Sequence, residues 1–210
     1  MRTLEEQIDR YVELGVPSLA AMSEQEFRAA AGELTAHDPA ASAPQRLLVI
    51  HPDLVPAAHL APLLERAGKP GFVVEDLIDL AEFTPIDGVE VPTGPFYLLS
   101  DPQRGDELRN LSPAEALPRI TDAGRTPLTI SEGISWLLQE PDRLEPNHCF
   151  MCIGSRKPKA GSGLDSRTPA LWISGGTGRD GKENKGAAKV GWCWANNRHT
   201  WLGFASAAGR

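Results

Sequence analysis

The sequence predicts an α+β fold with N-terminal helices, a mixed α/β middle part with short strands, and a C-terminal antiparallel sheet that ends in a tryptophan-rich hairpin. Three observations lead to this class. Apolar residues near the start follow helical spacing, short apolar runs bounded by glycine and proline come next, and β-favouring segments separated by glycine-rich loops fill the last third. With 210 residues, 41% of them hydrophobic, the chain can bury its core as a single domain, 1–210.

Residues 1–36 are predicted to form a helical N-terminal arm. Leu4, Ile8 and Tyr11 fall on one face of a helix that Gly15 then ends. This arm offers one hypothesis for the function, in which the protein is an interaction module that docks on a partner through these helices.

A second helix of the arm should begin at the sequence SEQE. Ser23 and Glu26 have the spacing of a capping box, in which each side chain bonds the backbone amide of the other. The helix should end near Leu34. Residues 37–45 are predicted to be a linker, because alanine, serine and proline replace any periodicity there.

Residues 46–145 form an acidic α/β part. Strands are predicted at RLLVIHP, GFVVED and GPFYLLSD, and helical turns between the first two suggest a short βαβ unit. A helix should start where Ser112, Pro113 and Glu115 give three agreeing start signals, and Pro118 should kink or divide it. The segment SEGISWLLQEP predicts a further amphipathic helix.

Residues 146–210 form a basic, β-rich part. Strands are predicted at HCFMCIG, ALWIS, KVGWCWA and TWLGFA, and ANNR has the composition of a tight hairpin turn. Strand alternation puts Trp192 and Trp194 on one face. These indoles are either core or a stacking platform for a planar ligand, with Asn197 and Arg198 at its rim.

The charge is divided between the two parts of the chain. Residues 1–145 hold 11 Lys and Arg against 25 Asp and Glu, whereas residues 146–210 hold 10 against 3. The basic part either docks on the acidic part or presents an anion-binding face. A nucleic-acid partner is not expected, because the whole chain carries a net charge of −7.

The composition also leads to expectations about the membrane, the cellular compartment and cofactors. No apolar run approaches the ~20 residues of a membrane span, so no membrane partner is predicted. Three cysteines cannot form a complete disulfide framework, and the N-terminus lacks a signal peptide pattern, so a cytoplasmic protein is expected. No cofactor is predicted, and the oligomeric state is left open.

Three stretches carry a family resemblance. They are FTPIDGVEVPTGPFYLLSD, GRTPLTISEGISWLL and, most specifically, the C-terminal block that ends in GWCWANNRHTWLGFASAAGR. Together they resemble an uncharacterised bacterial family classed as a domain of unknown function, over nearly the whole chain. The resemblance implies a full-length, single-domain member, and it carries over no catalytic residues.

The glycine-rich segment 174–189 is the leading candidate for a site. It contains G-x-x-x-x-G-K, the beginning of a phosphate-binding loop, but Glu183 stands where the motif needs Ser or Thr. The segment is either a loop between strands or a simpler anion clamp made by Arg179, Lys182 and Lys185, with help from Lys189. The leading functional hypothesis is therefore a protein that binds a small anionic ligand at this loop and at the turn 196–199.

Two further sets of residues could carry chemistry. Cys149, Cys152, Cys193 and His199 are ligand types for zinc, although strand geometry favours buried structural cysteines instead. The alternative functional hypothesis is an enzyme of the hydrolase or transferase type. It would use His199 with a carboxylate from the first half of the chain, such as Glu132.

Overall fold

The computed structural model describes residues 1–37 and 45–210, and it has the predicted α+β class. The segment 38–44, most of the predicted linker, lies outside the described residues. In the described ranges none of the helices is long and apolar enough to cross a membrane. The α-helices are α1 (Leu4–Glu13), α2 (Val16–Leu19), α3 (Glu24–His37), α4 (Ala57–Leu60), α5 (Pro113–Asp122) and α6 (Ile130–Gln139).

The strands form one large sheet and several strand pairs. The strands are β1 (Arg46–Ile50), β2 (Glu65–Arg66), β3 (Lys69–Pro70), β4 (Phe72–Val73), β5 (Thr84–Pro85), β6 (Phe96–Ser100), β7 (Thr126–Pro127), β8 (Cys149–Met151), β9 (Ser155–Arg156), β10 (Arg167–Ile173), β11 (Ala188–Trp194), β12 (Leu202–Phe204) and β13 (Ser206–Ala207). The large sheet has the order β12-β8-β10-β11-β4, and the two-stranded sheets are β1-β6, β2-β3, β5-β9 and β7-β13.

The first helix is fastened to the strand pair β1-β6 by buried polar contacts. The Tyr11 hydroxyl donates to the carbonyl of Leu48 at 2.7 Å, and the Gln7 side chain accepts a hydrogen bond from the Leu48 amide at 2.8 Å. Both side chains are fully buried, as is Phe27 on α3. A partner that docks on the N-terminal helices would therefore have to use their outer faces.

Helix α6 lies between the strand pair β1-β6 and the large sheet, and all ten of its residues are buried. It contacts β1 on one side and β10 on the other. Gly133 allows the close approach, because a Cβ atom there would come 2.8 Å from Cδ1 of Leu171. On the same side the Trp136 ring lies 5.4 Å from the ring of Phe150. The predicted amphipathic helix is thus a central core helix.

The local helix signals work as the sequence predicts. The Ser23 amide donates to Glu26 at 2.8 Å, and the Glu26 amide donates back to the Ser23 hydroxyl at 3.2 Å. Helix α5 starts at its capping box, but Pro118 does not divide it. Pro118 and Ala114 are exposed, so water can bond the carbonyl group that the proline leaves without an amide partner.

Strand pairing differs from the prediction in three respects. The βαβ unit does not form, because β1 pairs antiparallel with β6 while β4 joins the large sheet beside β11. The terminal hairpin does not form either, since β10 and β8 separate β11 from β12. The large sheet is mixed rather than antiparallel, because β4-β11 and β8-β12 are parallel pairs.

Candidate ligand-binding site

A cavity of about 280 Å³ opens beside strand β11, next to the glycine-rich loop. Its walls include three indoles and four charged or amide side chains, and we call it the tryptophan pocket: Trp172, Trp192, Trp194, Asp76, Arg179, Lys189 and Asn197. The aromatic residues stand on two neighbouring strands of the large sheet, so the backbone that carries them is held by ladder hydrogen bonds. This rigid support is what a preformed binding site requires.

The strand register divides the three indoles between the two faces of the sheet, because Trp172 shares a face with its partner Lys189 whereas Trp192 and Trp194 point to the other face. Trp172 pairs with Lys189 across β10 and β11, and its indole lies over Gly191, where a Cβ atom would come 2.6 Å from the ring. The rings of Trp192 and Trp194 meet edge to face with their centroids 4.5 Å apart. Trp194 is 48% exposed, so one indole of the pocket is open to solvent.

The lysine of the pocket is buried and already paired. The Lys189 ammonium forms an ion pair with Asp180, and the Ser174 hydroxyl donates to the other oxygen of that carboxylate at 2.9 Å. The same ammonium lies 4.8 Å from the centre of the Trp172 ring, at cation-π distance. Lys189 therefore lines the pocket with a charge that Asp180 already balances.

The arginine of the pocket is the more accessible cation. The Arg179 side chain is 60% exposed, and its guanidinium forms an ion pair with Asp76 from the loop after β4. The second oxygen of Asp76, Oδ1, is buried and has no hydrogen-bond partner among the described residues. Asn197 also lines the pocket, and it is exposed.

The structure divides the predicted anion-binding set. Arg179 and Asn197 line the pocket, whereas Lys182, Lys185 and Arg198 do not. Arg198 instead forms an ion pair with Glu115 at the start of α5. Of the side chains predicted from this loop and turn, only some therefore converge on one cavity.

The glycine-rich loop does not have the backbone course of a nucleotide-binding P-loop. After β10 the chain makes two 3₁₀ turns, Gly178–Asp180 and Lys182–Asn184, and then enters β11. A nucleotide-binding loop would lead into an α-helix whose N-terminal amides face the phosphates. The segment is a loop between two antiparallel strands.

The cysteines occupy three different environments. Cys149 and Cys152 are buried on and beside β8, and burial raises the pKa of both thiols. Cys193 lines the tryptophan pocket, and burial raises its pKa to about 11. Within the described parts of the chain, no group of three or more histidine, cysteine or acidic residues is arranged to hold a metal ion, so the structure does not unite these thiols with His199.

The proposed acid-base residues are also apart. Glu132 is fully buried and accepts a hydrogen bond from the Tyr97 hydroxyl at 3.0 Å. The His199 ring packs against Trp201, 5.3 Å between centroids, and burial lowers the pKa of the imidazole. Among the described residues, a carboxylate lies within 4 Å of His51 and of His148, but not of His199.

One histidine-carboxylate pair has no counterpart in the sequence prediction. Nδ1 of His148 lies 2.9 Å from Oδ2 of Asp106, and Arg104 holds the same carboxylate with two nitrogen atoms. Burial works against the charged form of Asp106, but the bonds from Arg104 and His148 outweigh it and lower the pKa. The partners are 42 positions apart in the sequence, so there is no local signal for this contact.

The fold and the pocket define an α+β protein with an accessible, aromatic-walled cavity. The chain belongs to a family of unknown function, DUF5701, whose model matches residues 10–210. No curated protein and no solved structure matches the chain.

Proposed function

We propose that the protein binds a small planar anion in the tryptophan pocket. The observation that carries this proposal is that one cavity joins an exposed indole, Trp194, to an exposed guanidinium, Arg179. An aromatic face stacks on planar groups, and a guanidinium forms paired hydrogen bonds with carboxylates and phosphates. The pocket offers both contacts to the same ligand.

The cavity volume limits the size of this ligand. Pockets for drug-sized molecules occupy roughly 300–1,000 Å³, and the tryptophan pocket holds about 280 Å³. A ligand with one or two rings fits this space. Asn197 on the rim can donate and accept hydrogen bonds at the edge of such a ring.

We also propose that the protein works in the cytoplasm. All three cysteines are free thiols, which is the state that a reducing compartment maintains. Small metabolites with a ring and an acidic group are the corresponding class of ligand.

The proposal can be tested on the full chain by thermal shift and by quenching of tryptophan fluorescence. The probes are benzoate, nicotinate, indole-3-acetate and nucleoside monophosphates, with citrate as an anion that has no ring. A ligand that binds the folded state raises the melting temperature. We expect a response to the planar anions and none to citrate.

Matched variants locate the site. Trp194→Ala should remove the stacking contribution, roughly 1–3 kcal/mol for one ring. Arg179→Ala should weaken binding by about 10- to 100-fold, the loss of a charged hydrogen bond. Arg198→Ala is the control, because Arg198 is an exposed, paired arginine outside the pocket. A flat response to every probe would refute the proposal.

A further inference from the structure

The two cations of the tryptophan pocket differ in how tightly they are held. The side chain of Lys189 is 11% exposed and that of its partner Asp180 is 9% exposed, whereas Arg179 is 60% exposed. An exposed ion pair is worth little and its partners exchange easily. Arg179 is therefore the group in the pocket that can change partners.

The current partner of Arg179 is a carboxylate that is only partly satisfied. One oxygen of Asp76 contacts the guanidinium, and the other is buried with no hydrogen-bond partner in the described parts of the chain. A buried polar atom without a partner raises the free energy of the state that contains it. The ion pair with Arg179 therefore satisfies the Asp76 carboxylate only in part.

We propose that Asp76 occupies the anion subsite of the ligand, so that an incoming carboxylate replaces the Asp76 carboxylate on Arg179. This inference rests on the function proposed above and names its ligand class, an aromatic carboxylic acid. The internal group is itself a carboxylate, so the space beside Arg179 already accommodates an anion of that size. Asp76 lines the same cavity as Trp194, which places the ring of the ligand on the indole.

Competition with Asp76 makes the site selective for charge. A neutral amide of the same shape cannot displace a carboxylate from a guanidinium, because its oxygen carries no net charge. An acid and its amide should therefore differ in affinity for the protein. Removing Asp76 should increase the affinity for the acid and leave that for the amide unchanged.

The test is calorimetric titration of the full chain with indole-3-acetate and with indole-3-acetamide. In Asp76→Asn we expect indole-3-acetate to bind about two- to fivefold more tightly than in the original chain, the range that the loss of an exposed ion pair allows. We expect no change for indole-3-acetamide. Both side chains are partly exposed, so the variant should fold, and its circular dichroism spectrum checks this.

Two controls separate competition from a general change in charge. Glu75→Gln removes one negative charge next to Asp76, but Glu75 is exposed and lies outside the pocket lining. The double variant Asp76→Asn, Arg179→Ala keeps the loss of Asp76 but removes the cation over which it competes. We expect neither to bind indole-3-acetate more tightly than its parent, which is the original chain for the first and Arg179→Ala for the second.

The outcomes distinguish this inference from the proposed function. Equal tightening by Asp76→Asn and Glu75→Gln, or tightening that persists without Arg179, would overturn the competition while leaving the binding site intact. Equal affinity for acid and amide in every variant would overturn the anion subsite. No binding of either probe to any variant would overturn both.

Discussion

Glu132 and Arg210 form a buried, bidentate ion pair that joins the first turn of α6 to the segment after β13. Nε of Arg210 lies 2.6 Å from Oε1 of Glu132, and Nη2 lies 2.9 Å from Oε2. The Arg210 side chain is 6% exposed and the Glu132 side chain is 0% exposed. The carboxylate also accepts a bond from the Thr129 amide at 2.7 Å, so it caps the helix and balances a buried charge at once.

Glu132→Gln should destabilise the protein strongly. The amide cannot balance the guanidinium, and a buried charge that loses its partner costs about 3–5 kcal/mol. Urea unfolding measures this as a lower transition midpoint with an unchanged slope. Glu26→Gln is the matched control, because Glu26 caps α3 in the same way but is exposed. We expect the control to lose about 1 kcal/mol or less, and equal losses would contradict a special role for the ion pair.

Gly133→Ala should destabilise the protein although alanine favours helices. The new Cβ atom would come 2.5 Å from Sγ of Cys152 and 2.8 Å from Cδ1 of Leu171. Overpacking of this kind costs typically 1–3 kcal/mol. Gly32→Ala on α3 is the comparison, since among the described residues no heavy atom outside its own helix backbone and chain neighbours lies within 4 Å of the added Cβ, and it should gain up to about 1 kcal/mol. Thermal unfolding of the two variants should shift in opposite directions.

Asp79 should make stability depend on pH in acid. Hydrogen bonds from Arg167, at 2.6 and 2.9 Å, hold the pKa of Asp79 far below its ordinary value, and a bond from Lys157 adds to the effect. Because the folded pKa is the lower one, the stabilisation is complete above the unfolded value of about 3.9. It is lost as the pH falls through the folded pKa.

The measurement compares melting temperatures from pH 7 down to pH 2. Asp79→Asn should be less stable than the original chain at pH 7, by about 2 kcal/mol for charged hydrogen bonds, and the difference should shrink in acid. Asp53→Asn serves as the control, because the Asp53 side chain is 92% exposed. A difference between Asp79→Asn and the original chain that stays constant over the whole range would show that the ion pair does not stabilise the fold.

Alkylation should report on Cys193 before the other thiols. Cys149 and Cys152 are buried, whereas Cys193 is half-buried in the tryptophan pocket with a pKa of about 11. Since the thiolate is the reactive form, iodoacetamide should label Cys193 slowly at pH 7.5 and faster at pH 9. Mass spectrometry identifies the labelled residue, and Cys193→Ser should remove the labelling. Rapid labelling of Cys152 in the folded protein would contradict the buried environment of β8.

The parts of the fold that could be predicted are those with local causes. The capping box of Ser23 and Glu26 predicts the start of α3. The strands β1 and β6 could be predicted because they are buried on both faces and therefore form continuous apolar runs. Strand partners have no such signal. Residues 195–201 contain an acceptable hairpin turn, yet β10 lies along one edge of β11 and β4 pairs with the other. The final strands therefore pair elsewhere, with β8 and β7.

For the candidate site, too, local composition predicts single segments but not which of their side chains meet. Arg179 and Asn197 stand in the loop and turn that charge and composition indicated. Asp76 could not be predicted, because it lies 103 positions from Arg179 in the sequence and follows β4, whose partner β11 could not be foreseen. The sequence predicts where cations concentrate, but the three-dimensional pairing decides which of them remain available.

The position of β12 has a consequence for how the chain is made. During translation, residues 202–210 leave the ribosome after every element that they contact, so until then β8 lacks its outer neighbour and Glu132 lacks its guanidinium. Helices α1 and α6 and the strand pair β1-β6 can meet earlier. We expect nascent chains arrested before residue 200 to be digested rapidly by protease, and chains whose residues 202–210 have left the ribosome to resist it. The sheet and the buried ion pair therefore form only after the segment that contains β12 has been made.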